Sequence, residues 1–253
     1  MAKIITFANQ KGGVGKTTTA HIVSVGIAKK GFKVLACDLD PQANLTSVLG
    51  IDQNSDLVSI YDLFEGDCDI QDAIVETEAG VDLLVGSLML SGADRKYSAT
   101  GDEYKLKEAL EKVQDKYDYI VIDTPPALGV MSLNALAATE YLAVVMTPDY
   151  FSGKGLKQFQ ETVETTRKYL NNPDLKINGL LFTRCDRTNI SSIVNEDMEQ
   201  TAQLLDTKIY NSKIRQGVAV RESQYLESSL YDMRDTAVLK DYQQFIDEIL
   251  EEI

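Results

Sequence analysis

Short apolar runs alternate along this chain with longer segments whose apolar positions recur at helical spacing. Ile4 to Ala8 reads as a first strand, and residues 18–30, with Ile22, Val25, Gly26 and Ile27 among polar neighbours, read as a helix stopped by Gly31. The same alternation predicts strands at 32–37, 81–86, 117–123, 140–147 and 176–183. Helices are predicted at 103–114, where Leu106, Leu110 and Val113 share a face, at 132–138, from the 149–156 segment to about Leu170, at 191–205 and at 235–253. Residues 50–80 are polar and irregular, with short helical pieces at 59–65 and 69–75, and 87–97 reads as another short helix. Strands alternating with helices predict an α/β fold: a doubly wound, mostly parallel, twisted sheet with helices on both faces. One domain over 1–253 is expected, without an N-terminal helix-turn-helix unit.

Composition narrows the class. A chain of 253 residues, 44% of them hydrophobic, can bury a core without disulfides or a structural metal. Its three cysteines (Cys37, Cys68 and Cys185) are far apart, and its sole histidine, His21, has no partner in sequence, which disfavours zinc and disulfide frameworks. Reduced thiols fit a cytoplasmic protein, and His21 is expected to be a packing or surface residue. No apolar run approaches a membrane span and no signal peptide is expected. The net charge of −14 excludes a broadly basic nucleic-acid binder and suits a partner with a basic segment.

The chemistry is concentrated where strands end. Residues 9–18 read N-Q-K-G-G-V-G-K-T-T between a strand and a helix, which is the setting of a phosphate-binding loop. Gly12, Gly13 and Gly15 let the backbone approach an anion closely, Lys16 can reach β- and γ-phosphates, and the Thr17 hydroxyl can sit on Mg²⁺. Gln10 stands where the ordinary loop has its first glycine, and Lys11 adds a second cation. The second predicted strand runs into D-L-D-P-Q-A-N, with Asp38 and Asp40 on the ligand-binding edge of a parallel sheet. A third strand ends at Asp123, followed by Thr124-Pro125-Pro126, an arrangement in which the carboxylate serves Mg²⁺.

In this order the three motifs resemble the ParA/MinD/Soj ATPases, members of the SIMIBI class of P-loop proteins with a deviant Walker A box. The resemblance implies ATP and Mg²⁺ as cofactors, bound by Lys11, Gly12, Gly13, Val14, Gly15, Lys16, Thr17 and Thr18. It implies an ATP-dependent homodimer in which Lys11 reaches the partner's nucleotide. Lys11, Lys16 and Asp40 then carry catalysis, with Asp40 positioning water, and Thr17, Asp38 and Asp123 serve the metal. Thr183 and Asp186 become candidates for the adenine environment, and the segment around 149–156 for the dimer interface.

Residues 207–221 contain Lys208, Lys213, Arg215 and Arg221 and no acid, an inversion in so acidic a chain. Family members bind non-specific DNA near here, and phosphate contacts need only Lys/Arg density. A solvated loop, or a contact with nucleotide or partner, is the other reading. The last predicted helix has Leu239, Tyr242, Phe245, Ile246, Ile249 and Leu250 on one face and acids on the other, which disfavours a membrane-surface helix. The expected protein is a cytoplasmic, nucleoid-associated partition ATPase that segregates plasmid or chromosomal DNA with a ParB-like partner. A positioning ATPase for a protein cargo or conjugation machinery, or a non-catalytic nucleotide-switched scaffold, would share the same loop.

Overall fold

A computed structural model describes residues 1–53, 55–148, 153–173, 175–185, 192–226, 228–233 and 236–253, with the backbone alone at 153–157, 192–197 and 224. The apolar runs form strands β1 (Lys3–Ala8), β2 (Val34–Asp38), β3 (Ile74–Glu76), β4 (Asp82–Leu84), β5 (Tyr119–Asp123), β6 (Tyr141–Met146), β7 (Lys176–Cys185) and β8 (Ile209–Arg215). They join one eight-stranded sheet in the order β3-β4-β2-β5-β1-β6-β7-β8, parallel throughout except for β3. Strand β1 lies between β5 and β6, with Phe7 level with Asp123 and Asp38 of β2 level with the same residue. The chain leaves β1 towards β2 on one side and later passes to β6 on the other. Such a switch point opens a crevice at the carboxyl ends of the strands.

The helices are α1 (Lys16–Lys29), α2 (Asn44–Val48), α3 (Ile60–Glu65), α4 (Ala93–Lys96), α5 (Lys105–Glu111), α6 (Val130–Ala138), α7 (Gly153–Tyr169), α8 (Ser192–Leu204), α9 (Val218–Tyr225) and α10 (Ala237–Glu252). On one sheet face, Ile5, Phe7, Val121 and Val145 meet Ile22 and Val25 of α1 and Phe245 and Ile246 of α10. On the other, Ile4, Ile120 and Ile122 meet Phe64, Leu110 and Ala135 from α3, α5 and α6. Val144 and Phe182 there meet Phe159 and Val163 of α7. Burial on both faces explains why the central strands read as continuous apolar runs rather than as alternation.

Three expectations are corrected. The stretch 69–75, read as helical, instead leads through a turn into β3, whose Ile74 and Val75 pair with Leu84 and Leu83. The basic stretch 207–221 is not a loop: Tyr210 and Ile214 alternate inward to form β8, and α9 follows. Helix α1 starts at Lys16 rather than at Thr18, because Gly15 at φ +95° already turns the chain into it. The final helix packs on the domain, as its apolar stripe implied, and contacts both α1 and β8.

Candidate active site

Strand β1 delivers the glycine-rich loop to the crevice. Asn9 pins its first turn: the side-chain amide donates to the Val145 carbonyl at 2.6 Å, and its oxygen accepts the Lys11 N–H at 3.0 Å. Gly13 (φ +72°) and Gly15 (φ +95°) take left-handed conformations that disfavour side chains; Gly12 does not. Thr183, at the end of β7, braces the loop from below, its hydroxyl donating to the Val14 carbonyl at 2.6 Å. That commits its donor to the loop, while Thr183 also lines the cavity above it. Asp186 lies outside the described residues.

Lys16 is buried, with Nζ 3.5 Å from the Lys11 carbonyl. Burial lowers the pKa of its ammonium, against the attraction of Asp123 and Asp40. Lys11 is exposed at the rim and donates to the Thr147 hydroxyl at 3.3 Å. Gln10 lines a small second pocket together with Thr124, Pro125 and Pro126.

The three acids play different parts. Asp38 is fully buried; its Oδ2 accepts from the Thr46 N–H and hydroxyl, both at 2.8 Å, and its Oδ1 from the Asp40 N–H at 3.2 Å. It ties the 39–46 turn to the strand end, and burial pushes its carboxyl up to about 6 despite the Thr46 bonds. Asp40 is buried, accepts the Gln42 N–H at 2.9 Å, and lines the cavity with Lys16 and Thr17. Asp123 is fully buried, and neither oxygen meets a hydrogen-bond partner among the described residues. Burial, and then the neighbouring Asp38, raise its pKa well above the carboxylate range, while the nearby Thr17 hydroxyl and Lys16 oppose the shift.

An orphaned carboxylate beside a hydroxyl is a fitting half-site for a hard cation. No three acid, imidazole or thiolate groups among the described residues converge on one point. Mg²⁺ suits that sparse set, since it takes one or two protein oxygens and fills its octahedron from phosphate and water.

Above the loop opens a cavity of about 510 Å³. Its far wall includes residues that the motifs did not indicate: His21 of α1, Arg184 just after Thr183, and Gln216 and Val220 beyond β8. Arg184 holds φ +54°, a costly conformation for a side-chain residue, and its guanidinium overhangs Gly13.

The four basic candidates do not form one free patch. Lys208 pairs with Glu252, and Arg215 makes a two-pronged ion pair with Asp241, both bonds at 2.7 Å. Lys213 and Arg221 are exposed, and Arg215 and Arg221 border the cavity. The acidic face of α10 also bonds backbone. Glu248 accepts the Asn211 and Ser212 N–H groups at 2.6 and 2.8 Å, and Asp241 accepts that of Arg215 at 3.0 Å. No helix among the described residues is long and apolar enough to cross a membrane.

A family profile described as an AAA domain matches residues 2–177. The chain is 39% identical over 226 residues to the sporulation initiation inhibitor protein Soj of Bacillus subtilis, covering 88% of each. It is 35% identical over 238 residues to the chromosome partitioning protein ParA of Caulobacter vibrioides, covering 92% of this chain and 88% of that protein. Its fold is similar to that of cobyrinic acid a,c-diamide synthase from Mycobacterium smegmatis with bound ADP and magnesium: TM-score 0.85, 31% identity, 100% of this chain and 95% of that one.

Proposed function

Because this chain belongs to the ParA/Soj family of partition ATPases, we propose that it binds ATP with Mg²⁺, closes on it as a homodimer, and holds non-specific DNA in that state. Residues 1–253 act as one ATPase domain, and a ParB-like partner with a basic segment stimulates its turnover. The observation that carries this reading is convergence. Three adjacent parallel strands carry the Gly12–Thr18 loop, Asp40 and Asp123 at their carboxyl ends, where Thr17, Lys16 and Asp40 are the electrostatic neighbours of the buried Asp123.

Each group has a chemical part. Loop amides and the start of α1 offer partial positive charge to phosphate oxygens. Lys16, held between two carboxylates, supplies a fixed charge that need not reorganise as the γ-phosphoryl group leaves. Thr17 and Asp123 would hold Mg²⁺, which when bound neutralises phosphate charge. Asp40, fixed by the Gln42 N–H, accepts a proton or hydrogen bond from the attacking water. Lys11, at the rim, meets the nucleotide of the second protomer. Exposed Lys213 and Arg221 meet DNA phosphates.

The test compares the unaltered chain with Lys16→Ala for ATP binding, ATP-dependent retention on DNA, and phosphate release with and without DNA and a candidate partner. The variant is expected to lose all three. Full ATP affinity in Lys16→Ala refutes the site. Binding without turnover under every condition refutes the ATPase and leaves a nucleotide-switched scaffold.

A further inference from the structure

Strand β7 carries one extra residue near its end, and that residue is an arginine. Leu180, Phe182 and Cys185 pack in the layer of α7, and Leu181 packs in the layer of α1 and α10. Regular alternation would send Arg184, not Cys185, to the side of Phe182. The ladder shows where the count slips: Phe182 is level with Lys213 of β8 and Cys185 with Arg215, three steps against two. Arg184 is the added residue of a β-bulge, and its φ of +54° turns it out of the alternation. Bulges re-aim a side chain and gather beside active sites.

The re-aimed side chain arrives over the glycine-rich loop. Arg184 is exposed and lines the main cavity with Gly12, Gly13, Lys16 and Thr17. Its Nη1 lies 4.0 Å from where a Cβ on Gly13 would stand, while Thr183, one residue back, bonds the Val14 carbonyl. Arg215 on the same cavity wall is tied to Asp241; Arg184 has no such partner among the described residues. A guanidinium held out by a costly backbone conformation, above a cradle of amides, suits an anion: its planar fork matches two phosphate oxygens.

We propose that Arg184 grips the phosphate chain of the nucleotide bound in its own protomer, from the cavity side, while the loop amides and Lys16 hold that chain from below. This deepens the nucleotide reading above and rests on it. It adds a cation that the loop motif does not contain, supplied by the far end of the sheet's β7. The bulge sets the reach of the fork, so the strain in the backbone is the cost of placing it there.

The experiment titrates ATP and inorganic tripolyphosphate, each with Mg²⁺, into the unaltered chain, Arg184→Gln, Arg184→Lys, Arg184→Gly and Lys16→Ala, and measures the melting temperature of each empty protein. Arg184→Gln is expected to weaken both ligands alike, by about tenfold or more, the usual size for a hydrogen bond to a charged group. Arg184→Lys, a charge without the fork, should recover only part of that loss. Arg184→Gly adopts a positive φ without strain, so it should bind as poorly as Arg184→Gln yet melt no lower than the unaltered chain; it also covers the case in which the glutamine variant misfolds. Unchanged affinity for both ligands in the Gln and Gly variants overturns the proposal, even where retention on DNA falls. So does a loss confined to ATP, which places the guanidinium on the nucleoside, or a lower melting temperature in Arg184→Gly, which marks the arginine as a support of the fold. If Lys16→Ala keeps both ligands, the nucleotide reading falls and this contact falls with it; if it loses both while the Arg184 variants lose neither, only the contact falls.

Discussion

Removing the charge of Asp123 should make the empty protein more stable while destroying its response to nucleotide. The carboxylate is fully buried, both oxygens lack a hydrogen-bond partner among the described residues, and Asp38 stands level with it on the next strand. Both acids have pKa values raised in the fold. A carboxyl whose folded pKa exceeds its unfolded value stabilises fully when both states are protonated, and that contribution is lost as pH rises through the folded value. For Asp38 the window runs from the ordinary 3.8 to about 6; two pKa units correspond to about 3 kcal/mol. Asp123 adds in the same direction. Asp123→Asn deletes one charge and eases the other, so a gain of about 1–3 kcal/mol at pH 7.5 is expected. For a chain of this size that is about 3–10 °C in melting temperature. Calorimetry in EDTA without nucleotide, at pH 5 and pH 7.5, reads the effect. The gain should be larger at pH 7.5, and Mg²⁺ with ATP should raise the melting temperature of the unaltered chain only. A variant that melts lower at pH 7.5, or gains equally at both pH values, refutes the reasoning.

Asp40→Ala is expected to bind ATP but not hydrolyse it, so light scattering with ATP should show a persistent dimer; monomers alone would remove its hydrolytic role. Charge reversal at Lys213 and Arg221 together should weaken retention on DNA and leave ATP affinity intact, measured by filter binding. Arg215 is a poor probe for that purpose, because reversing it breaks the Asp241 pair and the packing of α10. At Gly26, where α1 crosses α10, an added methyl collides with Ile246 Cδ1 and the Tyr231 hydroxyl. Gly26→Ala should therefore cost about 1–3 kcal/mol by urea titration.

Sequence was most informative where chemistry constrains residue type beside a strand. The loop, Asp40 and Asp123 could be read because a phosphate cradle needs glycine and lysine, and a cation needs a carboxylate, at the end of an apolar run. The part played by Asp38 was hidden, because it depends on Thr46 folding back to meet it eight residues later. The Thr183 hydroxyl meets the Val14 carbonyl, a contact across 169 residues of chain that no local pattern could show. Strand β8 escaped notice for a related reason. Its inward pair, Tyr210 and Ile214, is a faint signal among basic residues, and what secures it comes from α10. His21 and Arg184 belong to the cavity only through tertiary packing, which no local pattern announces.

The clasp between α10 and β8 also bears on incomplete chains. Glu248 and Asp241 occupy the amides of Asn211, Ser212 and Arg215 along the rim of the sheet. A product terminated ahead of Asp241 would still carry the loop, Asp40 and Asp123, but it would bare those amides and the apolar surface that α10 covers. An open rim of that kind is a template for strand addition by other chains. Such fragments should therefore leave solution as aggregates rather than persist as competitors for nucleotide or partner. The final helix is thus a safeguard of proteostasis as much as a piece of the core.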